Sequence, residues 1–467
     1  MSDALLDRSA GEIAAAVRGG AISAREVTAS ALRRIAARDS VLGAFTEVTV
    51  ERALAKADAL DAARARGEAL GPLAGAPFAV KNLFDVEGVA TLCGSKINRD
   101  RPPAARDATL VARMDAAGAV LLGALNMGEY AYDFTGQNAH DGPSRNPHDP
   151  DHMTGGSSGG SGAAVAGGLV PIALGSDTNG SIRVPSSFCG LFGLKPTYGR
   201  LSRAGTFPFV ASLDHLGPFA RSVGDLALSY DAMIGAAAAD PAQADAAASP
   251  LAPALDEGVA GLRVATLGGW FARFGEPAAF AAVERVARAL GAGRVVELPG
   301  AERARAAAYL ITMAEGAALH LNRLRERSGD FDPDVRDRLV AGAMIPAVWV
   351  VQAQKFRRRF QQEALALFRD VDILLAPSTP TRAPRIGQKT FVLDGKEMPA
   401  RANIGIFAQP ISFVGLPVAA VPVWTEGERL PIGVQVIAPP WREDLALRVA
   451  RRLERDGIVA APVAASA

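Results

Sequence analysis

The first 68 residues carry apolar side chains at helical spacing. In the segments EIAAAVRGG, EVTASALRRIAARD and ERALAKADALDAARARG, apolar residues recur three or four positions apart, which is typical of amphipathic helices. Ser23 precedes the second segment and Glu26 follows three positions later, a pair that favours a capped helix start. Residues 1–68 are therefore predicted to form a helical segment.

Beyond residue 68, short apolar runs alternate with helical stretches. PFAVK at 77–81 predicts a strand, and residues 107–126 predict a helix followed by a strand. Five further apolar runs predict strands at residues 169–174, 262–268, 372–377, 419–424 and 432–438. This alternation favours an α/β fold whose large sheet is mixed, mostly parallel and covered by helices on both faces.

Composition narrows the class of protein. Hydrophobic residues make up 49% of the 467 positions and charged residues 21%, which is typical of a globular protein with a large core. The net charge is +1, so we expect no nucleic-acid partner. The two cysteines, Cys93 and Cys189, have neither disulfide-scaffold nor metal-ligand spacing, which favours a reducing compartment.

No segment has the character of a membrane anchor. The N-terminus lacks the basic start and apolar run of a signal peptide. Two uncharged runs, residues 153–176 and 402–425, are broken by glycine and serine or by proline, so neither resembles a membrane span. We expect a cytoplasmic protein with no membrane partner.

Two unusual stretches lie close together, TGGSSGGSGAAVAGG at 154–168 and DTNGSIRVPSS at 177–187. A flexible linker does not fit, because strand-like segments follow the first stretch directly. A phosphate-binding loop requires a lysine after its last glycine, and no lysine occurs between Lys96 and Lys195.

A nucleophile elbow is a further interpretation of the first stretch. Residues 156–160 fit G-x-S-x-G and would make Ser158 the nucleophile. That fold needs an acid and then a histidine downstream. Neither His215 nor His320 lies in such a context, so this interpretation is not favoured.

Taken together, these segments resemble the amidase signature family. Residues 155–200 follow the family's serine- and glycine-rich signature, PFAVKNLFDVEG resembles its lysine motif, and GALNMGEYAYDF resembles its asparagine-methionine segment. The resemblance extends from about residue 10 to 455 and includes later blocks such as SLDHLGPFARSVGDLAL and DILLAPSTPTRAP. It implies the amidase signature fold in one domain, residues 1–467, with the helical segment at 1–68 and a catalytic α/β core at 69–460.

The resemblance also implies a catalytic set of Lys81, Ser157 and Ser181. Ser181 would be the nucleophile, and Ser157, behind a cis peptide, would relay protons between Ser181 and Lys81. The two serines are 24 positions apart (181 − 157), as the family pattern requires. A serine hydroxyl needs a base at neutral pH, and burial can lower the pKa of a lysine enough to serve. We therefore expect the Ser157 hydroxyl within hydrogen-bond reach of both partners.

Further roles follow from the same match. The loop of Thr178, Asn179 and Gly180 would supply backbone N–H donors to the oxyanion. The commonest family pattern has two glycines directly before the nucleophile, and in this sequence Asn179 replaces the first of them. Ala131 and Tyr132 fall where the family lines its acyl pocket.

Two charged residues flank this loop. Asp177 and Arg183 are expected to pair and brace it, with a role for Arg183 as ligand of a substrate carboxylate as the alternative.

Residues 81–100, 123–150 and 177–209 most resemble the branch of biuret and 1-carboxybiuret amidohydrolases. This implies an enzyme that releases ammonia from a small polar amide or ureide, without a metal or organic cofactor. It also implies a homodimer and, as in some relatives, a small helical accessory subunit. Two alternatives stay open: the glutaminase subunit of a glutamyl-tRNA amidotransferase, and a non-catalytic structural subunit, against which the lysine and two serines argue.

Overall fold

A computed structural model describes residues 5–465. The helices are α1 (Ala10–Arg18), α2 (Ala24–Leu42), α3 (Val50–Ala65), α4 (Thr109–Ala116), α5 (Gly159–Ala166), α6 (Arg183–Cys189), α7 (Val223–Met233), α8 (Pro277–Ala289), α9 (Ala301–Glu326), α10 (Pro333–Ala343), α11 (Ala347–Leu367), α12 (Ala400–Asn403), α13 (Gln409–Val414) and α14 (Glu443–Arg455). The strands are β1 (Phe45–Val48), β2 (Pro77–Lys81), β3 (Val120–Leu125), β4 (Arg145–Asn146), β5 (Asp149–Met153), β6 (Ile172–Asp177), β7 (Phe192–Lys195), β8 (His215–Ala220), β9 (Val264–Leu267), β10 (Arg294–Val296), β11 (Ile373–Pro377), β12 (Thr390–Leu393), β13 (Lys396–Pro399), β14 (Val418–Val423) and β15 (Ile432–Ile437).

Eleven of these strands form one sheet, in the order β1-β3-β2-β6-β8-β7-β14-β15-β11-β9-β10. The parallel neighbours are β3–β2, β2–β6, β11–β9 and β9–β10, and the other neighbours are antiparallel. The predicted mixed α/β sheet is confirmed, but the expected parallel majority is wrong. One reason is that residues 424–431 join β14 to β15, a connection shorter than the roughly dozen residues that a parallel crossover needs.

Both faces of the sheet are covered, as predicted. Successive residues of a strand point to opposite faces. Phe78 and Val80 of β2 pack into the apolar cluster that includes α4 and α7, whereas Ala79 packs into the cluster that includes α2 and α5. The short strand PFAVK is uniformly apolar before its lysine because neither face meets solvent.

The N-terminal segment is largely helical, with one departure. The predicted cap of α2 is confirmed, because the Ser23 hydroxyl accepts from the Glu26 N–H and the Glu26 side chain bonds back to Ser23. Residues 45–48, however, form strand β1, which pairs with β3 at the edge of the sheet. Four residues are too few to show a strand period. Residues 1–4, which the prediction also included, lie outside the described residues.

Three of the chemically interesting segments meet at one edge of the sheet. Strands β2 and β6 are parallel neighbours, so Lys81 at the end of β2 and Asp177 at the end of β6 lie at the same edge. Helix α5 begins shortly after Ser157, and α6 begins shortly after Ser181. The strand register therefore brings the predicted lysine and both serine segments together.

A glycine allows α5 to approach this edge. A Cβ atom on Gly160 would lie 2.5 Å from the carbonyl oxygen of Ala44 and 2.6 Å from both the nitrogen and the oxygen of Asn126. These are backbone atoms of neighbouring segments that cannot turn aside as a side chain can. The absence of a side chain at residue 160 thus sets how close Ser157 can come to the sheet.

Helices α9, α10 and α11 form a layer beside the site. Gly342 of α10 packs so tightly on α9 that an added Cβ would lie 2.1 Å from the Met313 carbonyl oxygen. Among residues 5–465, no single helix is long and apolar enough to cross a membrane. Helices α10 and α11 are long and apolar enough only when counted together, and they are bent by 97° at the break between them.

Candidate active site

Lys81 is fully buried and bonded to two serines. Its Nζ donates to Ser157 Oγ at 2.6 Å and to Ser176 Oγ at 2.9 Å. The Gly156–Ser157 peptide is cis, as the family resemblance implied. The Gly128 N–H donates to the Ser157 carbonyl at 3.1 Å and fixes this turn. The structure thus brings two of the three predicted catalytic side chains into direct contact.

Burial changes the acid–base character of this lysine. Loss of solvation lowers the pKa of Lys81 to about 7, against the opposing effect of the Asp214, Asp177, Cys93 and Asp133 side chains. A lysine with this pKa is largely an amine just above neutral pH. It can then accept a proton, which an ordinary exposed lysine cannot do at that pH.

Ser181 makes no hydrogen bond to this pair. Its side chain is buried and lines a small pocket. The expected hydrogen bond between Ser181 Oγ and Ser157 Oγ is not formed, and within residues 5–465 the Ser181 hydroxyl has no hydrogen-bond partner. Catalytic hydrogen bonds commonly tighten only when substrate binds, so this spacing is compatible with the predicted set.

The loop before Ser181 keeps its backbone donors free. The N–H groups of Thr178, Asn179 and Gly180 make no hydrogen bond to a described residue. The loop is held from its sides instead, because Thr178 Oγ1 donates to Asp214 Oδ1 at 2.6 Å and the Ile182 N–H donates to Asp177 Oδ2 at 3.1 Å. Free N–H groups in a fixed loop are what an oxyanion requires.

The expected pair of Asp177 and Arg183 is formed, and every N–H donor of the Arg183 guanidinium has an acceptor. Arg183 is fully buried and uses its five N–H donors on five acceptors. Two go to Asp177, at 2.9 and 3.0 Å, and the others go to the Ala408 carbonyl, Gln435 Oε1 and Ser412 Oγ. The alternative that Arg183 binds a substrate carboxylate is therefore wrong, because no donor is left.

This arrangement also sets the charge of the aspartate. Burial alone would raise the pKa of Asp177, but the adjacent Arg183 guanidinium holds it well below its usual range. The carboxylate therefore stays ionised, and its negative charge anchors the loop that carries Ser181.

Ser181 lines a small pocket. The lining residues come from distant parts of the chain: Ala131, Tyr132, Asp133, Phe134, Thr178, Asn179, Ser181, Phe209, Tyr309, Arg338 and Gln409. Ala131 and Tyr132 lie where the acyl pocket was expected, and Ala131 takes a left-handed backbone with φ of 61°. Three buried polar atoms in this lining have no partner among the described residues, namely Tyr132 Oη, Asn179 Oδ1 and Gln409 Nε2.

A second cavity, of about 400 Å³, is lined by Ser176, the other serine that is bonded to Lys81. It shares Ala131 and Phe209 with the first pocket. Ser176 thus links the lysine to a second space, in which small molecules such as water have room.

The structure does not support the nucleophile-elbow interpretation. The Ser158 hydroxyl donates to the Ser176 carbonyl at 3.2 Å, and within the described residues no histidine bonds to it. His215 is held by the carbonyls of Asp177 and Leu213 instead. His320 stacks on Tyr130 with ring centroids 4.0 Å apart.

Several site residues were missed in the sequence. Ser176 lies two positions beyond the predicted strand at 169–174, and in the structure strand β6 extends past it to Asp177, beside the strand that ends in Lys81. The rule that parallel strands end at one edge could have drawn attention to it. Arg338 and Gln409 had no such signal, since they lie far along the chain in segments with no catalytic pattern. Among residues 5–465, no group of three His, Cys, Asp or Glu side chains could hold a metal ion.

The chain belongs to the amidase family, whose family model matches residues 26–447. It is therefore an amidohydrolase that cleaves amide C–N bonds, and the expected family membership is confirmed.

Individual relatives narrow the comparison. AtzE of Pseudomonas sp. (strain ADP), a 1-carboxybiuret hydrolase subunit, is 56% identical over 448 residues, covering 96% of this chain and 98% of that protein. A glutamyl-tRNA(Gln) amidotransferase subunit from Chromohalobacter salexigens is 38% identical, covering 96% of each chain. One similar solved structure is a chain of a vestigial protein complex that reveals the evolutionary origins of an s-triazine catabolic enzyme. It superposes on this chain with a TM-score of 0.96 at 56% identity, over 97% of this chain and 99% of that one.

Replacement of Arg183 by methionine should destabilise the fold because Asp177 would be left buried and unpaired. Breaking a buried pair in this way costs about 3–5 kcal/mol of unfolding free energy. Arg273, whose pair with Asp394 leaves both side chains largely exposed at 62% and 42%, is the matched control, and Arg273→Met should cost at most about 1 kcal/mol. Urea unfolding of both variants measures the difference, and equal losses would contradict the structural role of Arg183.

Proposed function

We propose that this chain hydrolyses a small, anionic linear ureide of the 1-carboxybiuret type, releasing ammonia through an acyl-enzyme on Ser181. The observation that carries the substrate class is the unpaired guanidinium of Arg338 in the pocket of Ser181. The identity of 56% to a 1-carboxybiuret hydrolase subunit supports the same substrate.

Arg338 has the position and the free donors to bind a carboxylate. Its side chain lies over the ring of Tyr132, with Cζ 3.7 Å from the ring centroid. It donates to the carbonyls of Tyr132 and Asp334, and among the described residues no carboxylate pairs with it. Arg401 pairs with both Asp133 and Asp334 instead, at 3.1 Å each. A half-buried guanidinium with free donors and no carboxylate in contact favours an anionic ligand.

The proposed acylation step begins with the Ser181 hydroxyl. Its oxygen attacks the terminal amide carbon while its proton passes to Ser157 Oγ, and the proton of Ser157 passes to the neutral amine of Lys81. The carbonyl electrons move to oxygen, where the N–H groups of Asn179 and Gly180 stabilise the charge. The C–N bond then breaks, and the nitrogen takes a proton back through Ser157 and leaves as ammonia.

Deacylation would reverse these roles with water. Water adds to the acyl carbon and gives a proton to Ser157 and Lys81. The bond to Ser181 Oγ then breaks, and Ser181 regains its proton. The product is the carboxylate, or carbamate, of the acyl part. Lys81 is suited to both steps because its pKa of about 7 lets it accept and return a proton near neutral pH.

The proposal extends to assembly and location. We propose a homodimer with a small helical accessory subunit bound to it, and the similar chain that was solved within a protein complex supports a partner subunit. A cytoplasmic location is supported by Cys93 and Cys189, which are both buried free thiols of the kind a reducing compartment preserves.

Substitution of the proposed nucleophile should abolish covalent labelling. The wild type should gain the mass of a fluorophosphonate probe on Ser181, and Ser181→Ala should gain none. Turnover of Ser181→Ala, Ser157→Ala and Lys81→Ala should each fall by at least about 10⁴-fold, because members of a catalytic set act as a unit. Circular dichroism of each variant controls for folding. Labelled Ser181→Ala, or near wild-type turnover in any of the three, would contradict the mechanism.

Activity should decline on the acid side of neutrality. The folded pKa of Lys81 is lowered to about 7, so the amine that accepts the proton disappears as pH falls below that value. kcat/KM should therefore be nearly constant from about pH 8 to 9 and fall roughly tenfold per pH unit well below pH 7. A pH–rate profile with circular dichroism at each pH measures this. A profile with no acid limb between pH 5 and 8 would exclude Lys81 as the base.

The substrate proposal predicts a specific effect of Arg338→Met. Ammonia release should be faster with 1-carboxybiuret than with biuret, because only the former has a carboxylate that can pair with the guanidinium, and faster than with malonamate or glutamine, which have a carboxylate but are not ureides. The variant should lose about 10²-fold or more in kcat/KM for 1-carboxybiuret and much less for uncharged biuret. Arg336→Met, on the same helix but paired with Asp337, is the control that should behave as wild type.

Two results would overturn this assignment. Glutamine hydrolysed far faster than every ureide would favour the amidotransferase role, and no hydrolysis with no labelling would favour a non-catalytic role.

A further inference from the structure

Gln409 is a buried polar side chain whose amide oxygen is hydrogen-bonded and whose amide nitrogen is not. It is the first residue of α13 and lines the pocket of Ser181. Its side chain is 1% exposed, and its Nε2 has no hydrogen-bond partner among the described residues. A buried donor without a partner costs about 1–3 kcal/mol. Such a group at the wall of a ligand pocket indicates that a ligand supplies the missing acceptor.

Arg305 fixes which end of this amide faces the pocket. Its Nε donates to Gln409 Oε1 at 2.9 Å, and its Nη2 donates to the Ala402 carbonyl and to Asn403 Oδ1, each at 2.8 Å. A guanidinium only donates hydrogen bonds, so the amide oxygen must face Arg305. The Gln409 amide therefore cannot reverse, and it offers the pocket an N–H donor and no acceptor.

We propose that Gln409 is a specificity-determining residue whose Nε2 donates to an oxygen of the substrate's acyl part, and that Arg305 is its positioning residue. This inference rests on the proposed function and refines it, because it states which substrate atom is recognised besides the carboxylate. Amides whose acyl part is a plain hydrocarbon chain lack an oxygen at this place and would leave Gln409 unpaired.

Asn179 lines the same pocket as Gln409. Its Nδ2 donates to Thr312 Oγ1 at 3.0 Å, and its Oδ1 has no partner among the described residues. The Thr312 hydroxyl can accept or donate, so Asn179 can offer either end of its amide. A ureide carries alternating C=O and N–H groups, which a fixed donor and an adaptable amide can bind together. A hydrocarbon acyl chain satisfies neither.

The test uses two variants that act on Gln409 in opposite ways. Gln409→Leu removes the donor at similar size. Gln409→Glu keeps the contact with Arg305 as an ion pair but presents an oxygen acceptor where a donor stood. The readout is the ratio of kcat/KM for 1-carboxybiuret to that for butyramide, which has no second oxygen. A purely structural role would lower both rates together and leave this ratio unchanged.

We expect Gln409→Leu to lower the ratio by about 10- to 100-fold, since a site that hydrogen-bonds its substrate loses discrimination when a partner is removed. Gln409→Glu should lower it further, because two acceptors would face each other. Arg305→Met should lower it to a smaller extent, by freeing the amide to reverse. Gln362→Leu on α11 and Arg303→Met on α9, both at exposed positions, should keep the wild-type ratio.

The two proposals fail separately. If the wild type does not hydrolyse 1-carboxybiuret, the proposed substrate is wrong, and the ratio is taken with the polar amide of the panel that it hydrolyses best. If the wild type hydrolyses such an amide and both Gln409 variants keep its ratio within about twofold, the role of Gln409 is refuted. A lowered ratio in folded variants, with wild-type values in the controls, supports it.

Discussion

The site depends on one constraint, the burial of the Lys81 amine at the end of a strand that solvent cannot reach. The strand PFAVK is apolar on both faces, so its last side chain emerges inside the protein. Without solvation the charged form of the lysine is disfavoured, and its pKa falls to about 7. Two serine hydroxyls are its hydrogen-bond acceptors. A large sheet covered on both faces is therefore a chemical requirement as well as a structural one, because it gives this lysine the pKa that the proposed base needs.

Two kinds of polar group surround the site: those that are fully hydrogen-bonded within the protein and stabilise the loop before Ser181, and those that have no partner in the protein. Arg183 and Asp177 satisfy each other and the neighbouring acceptors completely, and they keep the loop before Ser181 in place. By contrast, the loop N–H groups, Gln409 Nε2 and Asn179 Oδ1 have no partners within the described residues. Unpaired buried polar groups are rare in proteins because each one is costly. Their concentration around one pocket is the physical trace of the molecule that the pocket binds.

The proposed catalytic and recognition groups come from different parts of the chain. Lys81, Ser157 and Ser181 lie within about a hundred residues of each other, at the end of β2 and just before α5 and α6. Helices α9, α10 and α13 contribute Tyr309, Arg338 and Gln409 to the pocket of Ser181. Such a division lets the acyl part of the substrate be changed through distant helices while the reacting groups stay fixed. It fits a family whose relatives include proteins of both 1-carboxybiuret hydrolases and glutamyl-tRNA amidotransferases.

The sequence by itself determined the helices of the first segment and the main apolar strands, because each depends on local periodicity. The set of Lys81, Ser157 and Ser181 is a prediction from a motif of fixed spacing, and the structure joins Lys81 to Ser157. It could not determine strand direction, since a short connection such as 424–431 and a long crossover leave the same apolar pattern in the strands they join. It also predicted the pair of Asp177 and Arg183, which are only six positions apart, but it left a role for Arg183 as a carboxylate ligand open. Only the tertiary structure decided that the remaining donors of Arg183 are used by Ala408, Ser412 and Gln435, more than 200 residues further along the chain, and that Arg338 lines the pocket of Ser181 without a carboxylate partner.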